Sequence, residues 1–333
     1  MKLIYTYIFA VMMLGLVSCR KSMVDPVDDI STVPISFDIE QAVTKASLFE
    51  EDADLKDGSK GGGNFSVCAY KSGTGTKFLY NQRVWYFQDG KSWHFYDDAI
   101  NNVTHIYWPN TFDLDFFAYM PYHNANLKTG VTLEGRTGSG GGPSFSCELP
   151  LDAPGQDELH EFIYAYTPDQ NKDNLDPDGK VKLNFKHPFS SIIIRLSESY
   201  RMNINWIRIK GIYYKGIFDV KNGWSFTSEP GILMINLDKN VPDDINYNSL
   251  IGGPYVILPQ ELTDNVVLDI NFTRDDITDT KSVTLKNSTQ PKWEPGLIYT
   301  YTLKIGDPAE EILFNVAVEE WNVIEYKNEV GIE

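Results

Sequence analysis

Apolar and polar residues alternate in steps of two over one segment after another, the period of a strand with one face in a core and one toward solvent. Val266, Leu268, Ile270 and Phe272 alternate with Val267, Asp269, Asn271 and Thr273. Leu297, Tyr299, Tyr301, Leu303 and Ile305 alternate with Ile298, Thr300, Thr302 and Lys304. Residues 114–120, 181–185 and 192–196 behave alike, bounded by Gly, Pro, Asn and Asp, and short strands at such spacing predict β-sandwiches. Helical stripes of useful length are missing, so only short helical turns are expected, at residues 46–57 and 155–165. Near the end, Ile312, Phe314, Val316 and Val318 share one parity while Trp321 and Val323 take the other; a bulge near Glu319 and Glu320 would return the tryptophan to the core face.

The N-terminus breaks this pattern. Lys2 precedes an apolar run from Leu3 to Val17, too short to span a bilayer comfortably, and Leu16-Val17-Ser18-Cys19 ends it. This is the pattern of a lipoprotein signal peptide over residues 1–18, with Cys19 as the lipidated mature N-terminus and residues 20–32 as a polar tether. The expected location is the cell surface, anchored by lipid to a membrane. The polar loop at residues 169–180 and the interruption at His187-Pro188 put a domain seam near residues 180–190.

Charge narrows the partners. The 333 residues carry 29 basic and 46 acidic side chains, net −17, so nucleic acid is excluded as a natural partner. Besides Cys19 only Cys68 and Cys147 remain; their strand parities differ, and two small packing thiols are favoured over a single bridge.

Motifs with chemical meaning dissolve on inspection. Residues 130–137 match a phosphate loop superficially, but Arg136 stands at the lysine position and the segment is strand-like. Asp169, Asn171 and Asp173 open like a calcium loop, yet Asn174 occupies the glycine position and Lys180 the closing glutamate. His94, His105, His123, His160 and His187 form no pair at metal-ligand spacing. No nucleophile elbow is present, so no catalytic residue, metal or cofactor is assigned and the chain reads as non-enzymatic. Trp85-Tyr86-Phe87, Trp93-His94-Phe95-Tyr96 and Tyr107-Trp108 could stack on sugar rings, but alternation sends about half of each run inward, and core packing is the favoured reading.

Several segments, in order, resemble the fimbrillin-like lipoproteins that build type V pili in Gram-negative anaerobes. They are Ile35-Ser36-Phe37 with Thr44-Lys45-Ala46, then Tyr107-Trp108-Pro109, then residues 114–122. Residues 185–190, 256–260, 295–299 and 316–321 follow. The resemblance implies an all-β fold of two tandem Greek-key, transthyretin-like sandwiches. It divides the chain into a signal peptide (1–18), a tether with a removable N-terminal strand (19–45), and sandwiches at 46–185 and 186–333. It also implies assembly on the outer membrane as a pilus subunit, structural or at the tip, with other pilin subunits as partners and host glycan or protein as a target. In this scheme a protease removes an N-terminal strand and the next subunit fills the vacated groove. Ile35, Phe37 and Ile39 alternate with Ser36, Asp38 and Glu40 in an eight-residue strand from Val33 that would run about 27 Å at the edge of the first sandwich. Lys45-Ala46 is the matching cleavage bond, although the best-known members are cut after arginine. Ile312, Phe314, Val316 and Val318 are the candidate donor strand, although an ordinary core strand of the second sandwich is the favoured reading of Ile312 to Trp321; the tail Val323 to Glu333 is the other donor candidate. The alternative is a monomeric outer-membrane lipoprotein of the same fold that binds glycans.

Overall fold

The period-two segments form strands, and the core lies where their apolar faces meet. The computed structural model describes residues 29–41, 63–87, 91–122, 129–136, 142–160, 162–175, 177–286, 290–305 and 312–321. Among the described residues the α-helix is confined to Ala153–Asp157, where Asp152 caps the first turn by accepting from the Gly155 N–H at 2.6 Å. The helix expected at 155–165 is shorter because a strand begins at Ile163; the one expected at 46–57 falls outside the described residues.

The first sheet runs in the order Ile163–Gln170, Leu114–Met120, Asn64–Lys71, Thr76–Phe87, Ser92–Asp97, Phe37–Gln41 and Val181–Asn184, with Asn102–Val103 paired to Ser92–Asp97. Its two ends meet again. Tyr164 and Lys186 exchange backbone hydrogen bonds of 3.0 and 2.7 Å, and the Thr167 hydroxyl donates to the Lys182 carbonyl at 2.9 Å. The sheet therefore curls around one core that contains Phe37, Phe65, Phe95, Trp108, Phe116 and Leu183.

Two four-stranded sheets face each other in the C-terminal half. One has the order Asp244–Ile257, Ser190–Ser199, Leu297–Ile305, Ile312–Glu320; the other has Gly231–Val241, Met202–Ile212, Val267–Arg274, Ile277–Thr284. Ile192, Ile194, Tyr299 and Leu303 meet Ile207, Ile209, Leu268 and Ile270 between them. Polar tips inside this core find partners, as buried groups must: the Trp293 indole donates to the Tyr301 hydroxyl at 2.9 Å, and the Tyr299 hydroxyl accepts from the Glu294 N–H at 2.7 Å.

A third sheet joins the halves. It takes Val131–Arg136 and Pro143–Glu148 from one side of residue 185 and Lys215–Asp219 and Gly223–Phe226 from the other. Phe145, Phe162, Phe189, Phe218, Leu258 and Trp321 gather beneath it. The stretch that imitates a phosphate loop is one of these strands, so its backbone is extended and forms no anion cradle. Cys68 and Cys147 are free, buried thiols in separate apolar clusters.

The bulge expected near Glu319 is not there. Ile312–Glu320 pairs in unbroken antiparallel register from Ile305↔Ile312 to Leu297↔Glu320, and the Trp321 N–H then donates to the Gly296 carbonyl at 2.6 Å. The parity switch has another cause: Phe314 and Val316 pack against the C-terminal core, whereas Trp321 enters the cluster between the halves and stacks on His187, centroids 4.3 Å apart and planes at 9°.

Candidate functional site

The expected single strand from Val33 to Glu40 is two strands. Ile30–Pro34 pairs with Tyr107–Pro109, and Phe37–Gln41 pairs within the first sheet. Pro34, with no N–H to give a ladder, ends the first. Between them the Ile35 N–H donates to the Ile106 carbonyl at 2.7 Å, and the Ser36 carbonyl accepts from the Val181 N–H at 2.9 Å.

Phe37–Gln41 does not lie at an edge. It runs parallel to Val181–Asn184, with Phe37↔Val181, Asp38↔Lys182 and Ile39↔Leu183 in register, and touches Ser92–Asp97 on its other side through the single pair Phe37↔Trp93. The contact across it is what closes the curled sheet, which an edge strand could not supply. Lys182 reaches Asp38 at 3.4 Å, an ion pair exposed enough to contribute little.

Alternation then places Ile35 and Phe37 in the core, 4% and 2% exposed, with Ile39 packed at its margin. Phe37 is held edge-on by three rings, Phe95 at 5.4 Å, Phe116 at 5.6 Å and Phe65 at 5.8 Å, with interplanar angles of 77°, 82° and 83°. Such contacts add about 0.5–1.5 kcal/mol each beyond area burial. Were this strand to leave, the gap would be floored by those three rings and flanked by the unpaired backbone of Val181–Asn184. The chemistry available there is backbone pairing and apolar insertion, as in strand addition. Cys19, Lys45 and Ala46 lie outside the described residues.

Ile312–Glu320 occupies a sheet edge, hydrogen-bonded on one side to Leu297–Ile305. Phe314 and Val316 are half-buried, while Leu313 and Val318 stand 56% and 41% exposed. Among the described residues the strand is thus an outer member of its own sandwich, paired along one side only.

The aromatic runs split as alternation requires. Tyr86, Trp93, Phe95 and Trp108 are buried. Trp85, Phe87, His94 and Tyr96 form a cross-strand row on the outer face, with Trp85 and Tyr96 centroids 4.9 Å apart. The Arg83 guanidinium lies 4.3 Å over the Trp85 ring and 5.0 Å from Tyr122, and is pinned by Asp98 at 2.6 Å. A covered ring face is a poor platform for a pyranose. In the loop that opens like a calcium site, Asn174 accepts from the Asn171 N–H at 2.8 Å and donates to the Asp169 carbonyl at 2.7 Å, and Asp173 pairs with Lys172 at 2.7 Å. Among the described residues no group of three His, Cys, Asp or Glu could hold a metal.

The sequence missed two parts of the site: the parallel partner Val181–Asn184 and the clasp at Ile106. The partner is about 144 positions away along the chain, and nothing local signals it.

A family model described as fimbrillin-like matches residues 53–321, a span that begins after Phe37–Gln41. Among solved structures, the chain is similar to a fimbrial protein from Bacteroides vulgatus, at 18% identity and a TM-score of 0.59 over 86% of this chain and 99% of that one. It is also similar to a candidate cell adhesion protein from Bacteroides uniformis, at 15% identity and a TM-score of 0.51, again over 86% and 99%. At these identities the likeness is one of fold. No curated protein matches the sequence.

Proposed function

The chain belongs to the fimbrillin-like family, and we propose that it is a non-enzymatic subunit of an adhesive pilus, lipid-anchored through Cys19 at the outer-membrane surface and assembled by strand exchange. The observation that carries this reading is the placement of Phe37–Gln41: a short strand, anchored in the core by Phe37 and preceded by the buried Ile35, closes the first sheet and lies only a few residues before Lys45. While it stays, the groove is filled and the backbone of Val181–Asn184 is paired, which blocks pairing with another copy. After cleavage at Lys45-Ala46 it is held by non-covalent contacts alone, and a strand from the next subunit can replace it. The donor is the segment Ile312–Glu320, through Ile312, Phe314, Val316 and Val318, or the tail Val323 to Glu333. The bonds that now tie Ile312–Glu320 to Leu297–Ile305 favour the tail, since lending the strand would unpair nine residues of its own sandwich.

The test compares the intact chain with one treated with a lysine-specific protease. Strand exchange is expected to give an SDS-resistant ladder from the cut chain only, and N-terminal sequencing of sheared pili is expected to begin at Ala46. Equal failure of both forms to polymerise, or fibres that retain Cys19, would overturn the reading. Palmitate labelling lost in Cys19→Ala tests the anchor separately.

A further inference from the structure

Between the two halves lies a cavity of about 230 Å³, room for seven or eight waters at about 30 Å³ each. Its walls come from distant parts of the chain: the helix end and following turn (Asp157, His160), Ser191 on the strand Ser190–Ser199, Pro254, and the stacked pair His187–Trp321. Ile192, Ile194 and Leu196 point into the C-terminal core, so Ser191 on the opposite parity faces this space.

Two polar atoms here are buried and lack a hydrogen-bond partner: the Ser191 hydroxyl and the Trp321 indole nitrogen, on residues 1% and 5% exposed. An unmet buried donor costs about 1–3 kcal/mol, so such a pair at a cavity wall points to something that fills it. Gln156, also on the wall, is already occupied: its amide donates to the Pro150 and Val256 carbonyls at 2.9 and 3.1 Å and accepts from the Val256 N–H at 2.8 Å.

The donor set selects the ligand. An indole can only donate, a serine hydroxyl donates or accepts, and the Asp157 carboxylate accepts, so the ligand must carry both donors and acceptors. The same carboxylate, on a chain of net charge −17, disfavours an anion. The remaining wall is apolar and aromatic, with Phe162, Phe189 and Pro254. We propose that this cavity binds a single neutral sugar residue, its hydroxyls meeting Ser191, Trp321 and Asp157 and its C–H face meeting the aromatic wall. The site is independent of strand exchange and of the outward row around Trp85.

The test is binding of methyl glycosides of glucose, galactose, mannose, fucose and N-acetylglucosamine to the purified full chain, by calorimetry and by thermal stabilisation. At least one is expected to bind, with affinity about fivefold weaker in Ser191→Ala and again in Trp321→Phe, each equivalent to one neutral hydrogen bond, and unchanged in Trp85→Ala. Unfolding curves of the unliganded variants separate lost binding from lost folding; should Trp321→Phe be unfolded, Ser191→Ala decides. Absence of binding by the whole panel, or affinity unaltered in Ser191→Ala, would overturn the proposal without touching the polymerisation result.

Discussion

Phe37→Ala probes the contact on which the assembly scheme rests. The ring is 2% exposed and touches Phe65, Phe95 and Phe116 edge-on. Truncating a buried Phe to Ala typically costs about 3–5 kcal/mol, as transfer free energy and residual cavity add. Three ring partners around one side chain put this site near the middle or upper part, about 4 kcal/mol, a large share of the ~5–15 kcal/mol that holds a domain together. With a guanidinium slope of roughly 2–6 kcal/mol per M, the unfolding midpoint should move down by about 1 M. Tryptophan fluorescence reads the transition, since Trp93 pairs directly with Phe37. Asp38→Ala is the matched control: its carboxylate is 40% exposed and its lysine partner 3.4 Å away, so the shift should stay within about 0.5 kcal/mol. Phe37→Ala should also speed polymerisation of the lysine-cut chain, because a strand with its main anchor removed leaves sooner. A midpoint shift in Phe37→Ala no larger than in Asp38→Ala would refute the claim that Phe37 holds the strand in place.

Three further outcomes are expected. Burial pushes the carboxyls of Asp115 and Asp269 up, but hydrogen bonds outweigh it and hold both below the usual carboxylate range: from Ser72, the Asp169 N–H and Lys221 for the first, and from Ser282, Lys210 and Arg208 for the second. A depressed folded value means the unfolded chain binds more protons. The stabilisation is therefore whole above the unfolded value of about 3.9 and is lost as pH falls through the folded value, so denaturation midpoints should drop below about pH 4, less steeply in Asp115→Asn and Asp269→Asn. Burial raises the Cys68 thiol to about 11, and burial, then Glu148, raises Cys147 as well, so iodoacetamide at pH 8 should label both only after unfolding. Trp108→Ala, which removes a fully buried ring 5.5 Å from Phe116, should cost about 3–5 kcal/mol, whereas Trp85→Ala on the outer face should cost about 1 kcal/mol; comparable losses in thermal melts would contradict this assignment of faces.

The period-two pattern by itself determined that the chain is β-rich and, for Val266 to Phe272 and Leu297 to Ile305, which parity faces the core; Leu114–Met120 shows the same alternation but is buried on both faces, Phe116 in the first core and Phe117 and Tyr119 in other clusters. Local alternation encodes a face because the pleat repeats every two residues. It also chose Ile35 and Phe37 as inward residues, and half of each aromatic run as core. What alternation cannot encode is the identity of the neighbour. Only the tertiary structure decided that Phe37–Gln41 lies inside a curled sheet rather than at an edge, since its partner Val181–Asn184 is brought alongside by the closure of the whole sheet. Nor does parity say which of several cores a face meets, and so Trp321 looked like a bulged residue of one sandwich when it belongs to the cluster between the two halves. The cavity beside it has the same origin: Asp157, Ser191, Pro254 and Trp321 converge only because a third sheet, with two strands from each half, fixes the halves against one another.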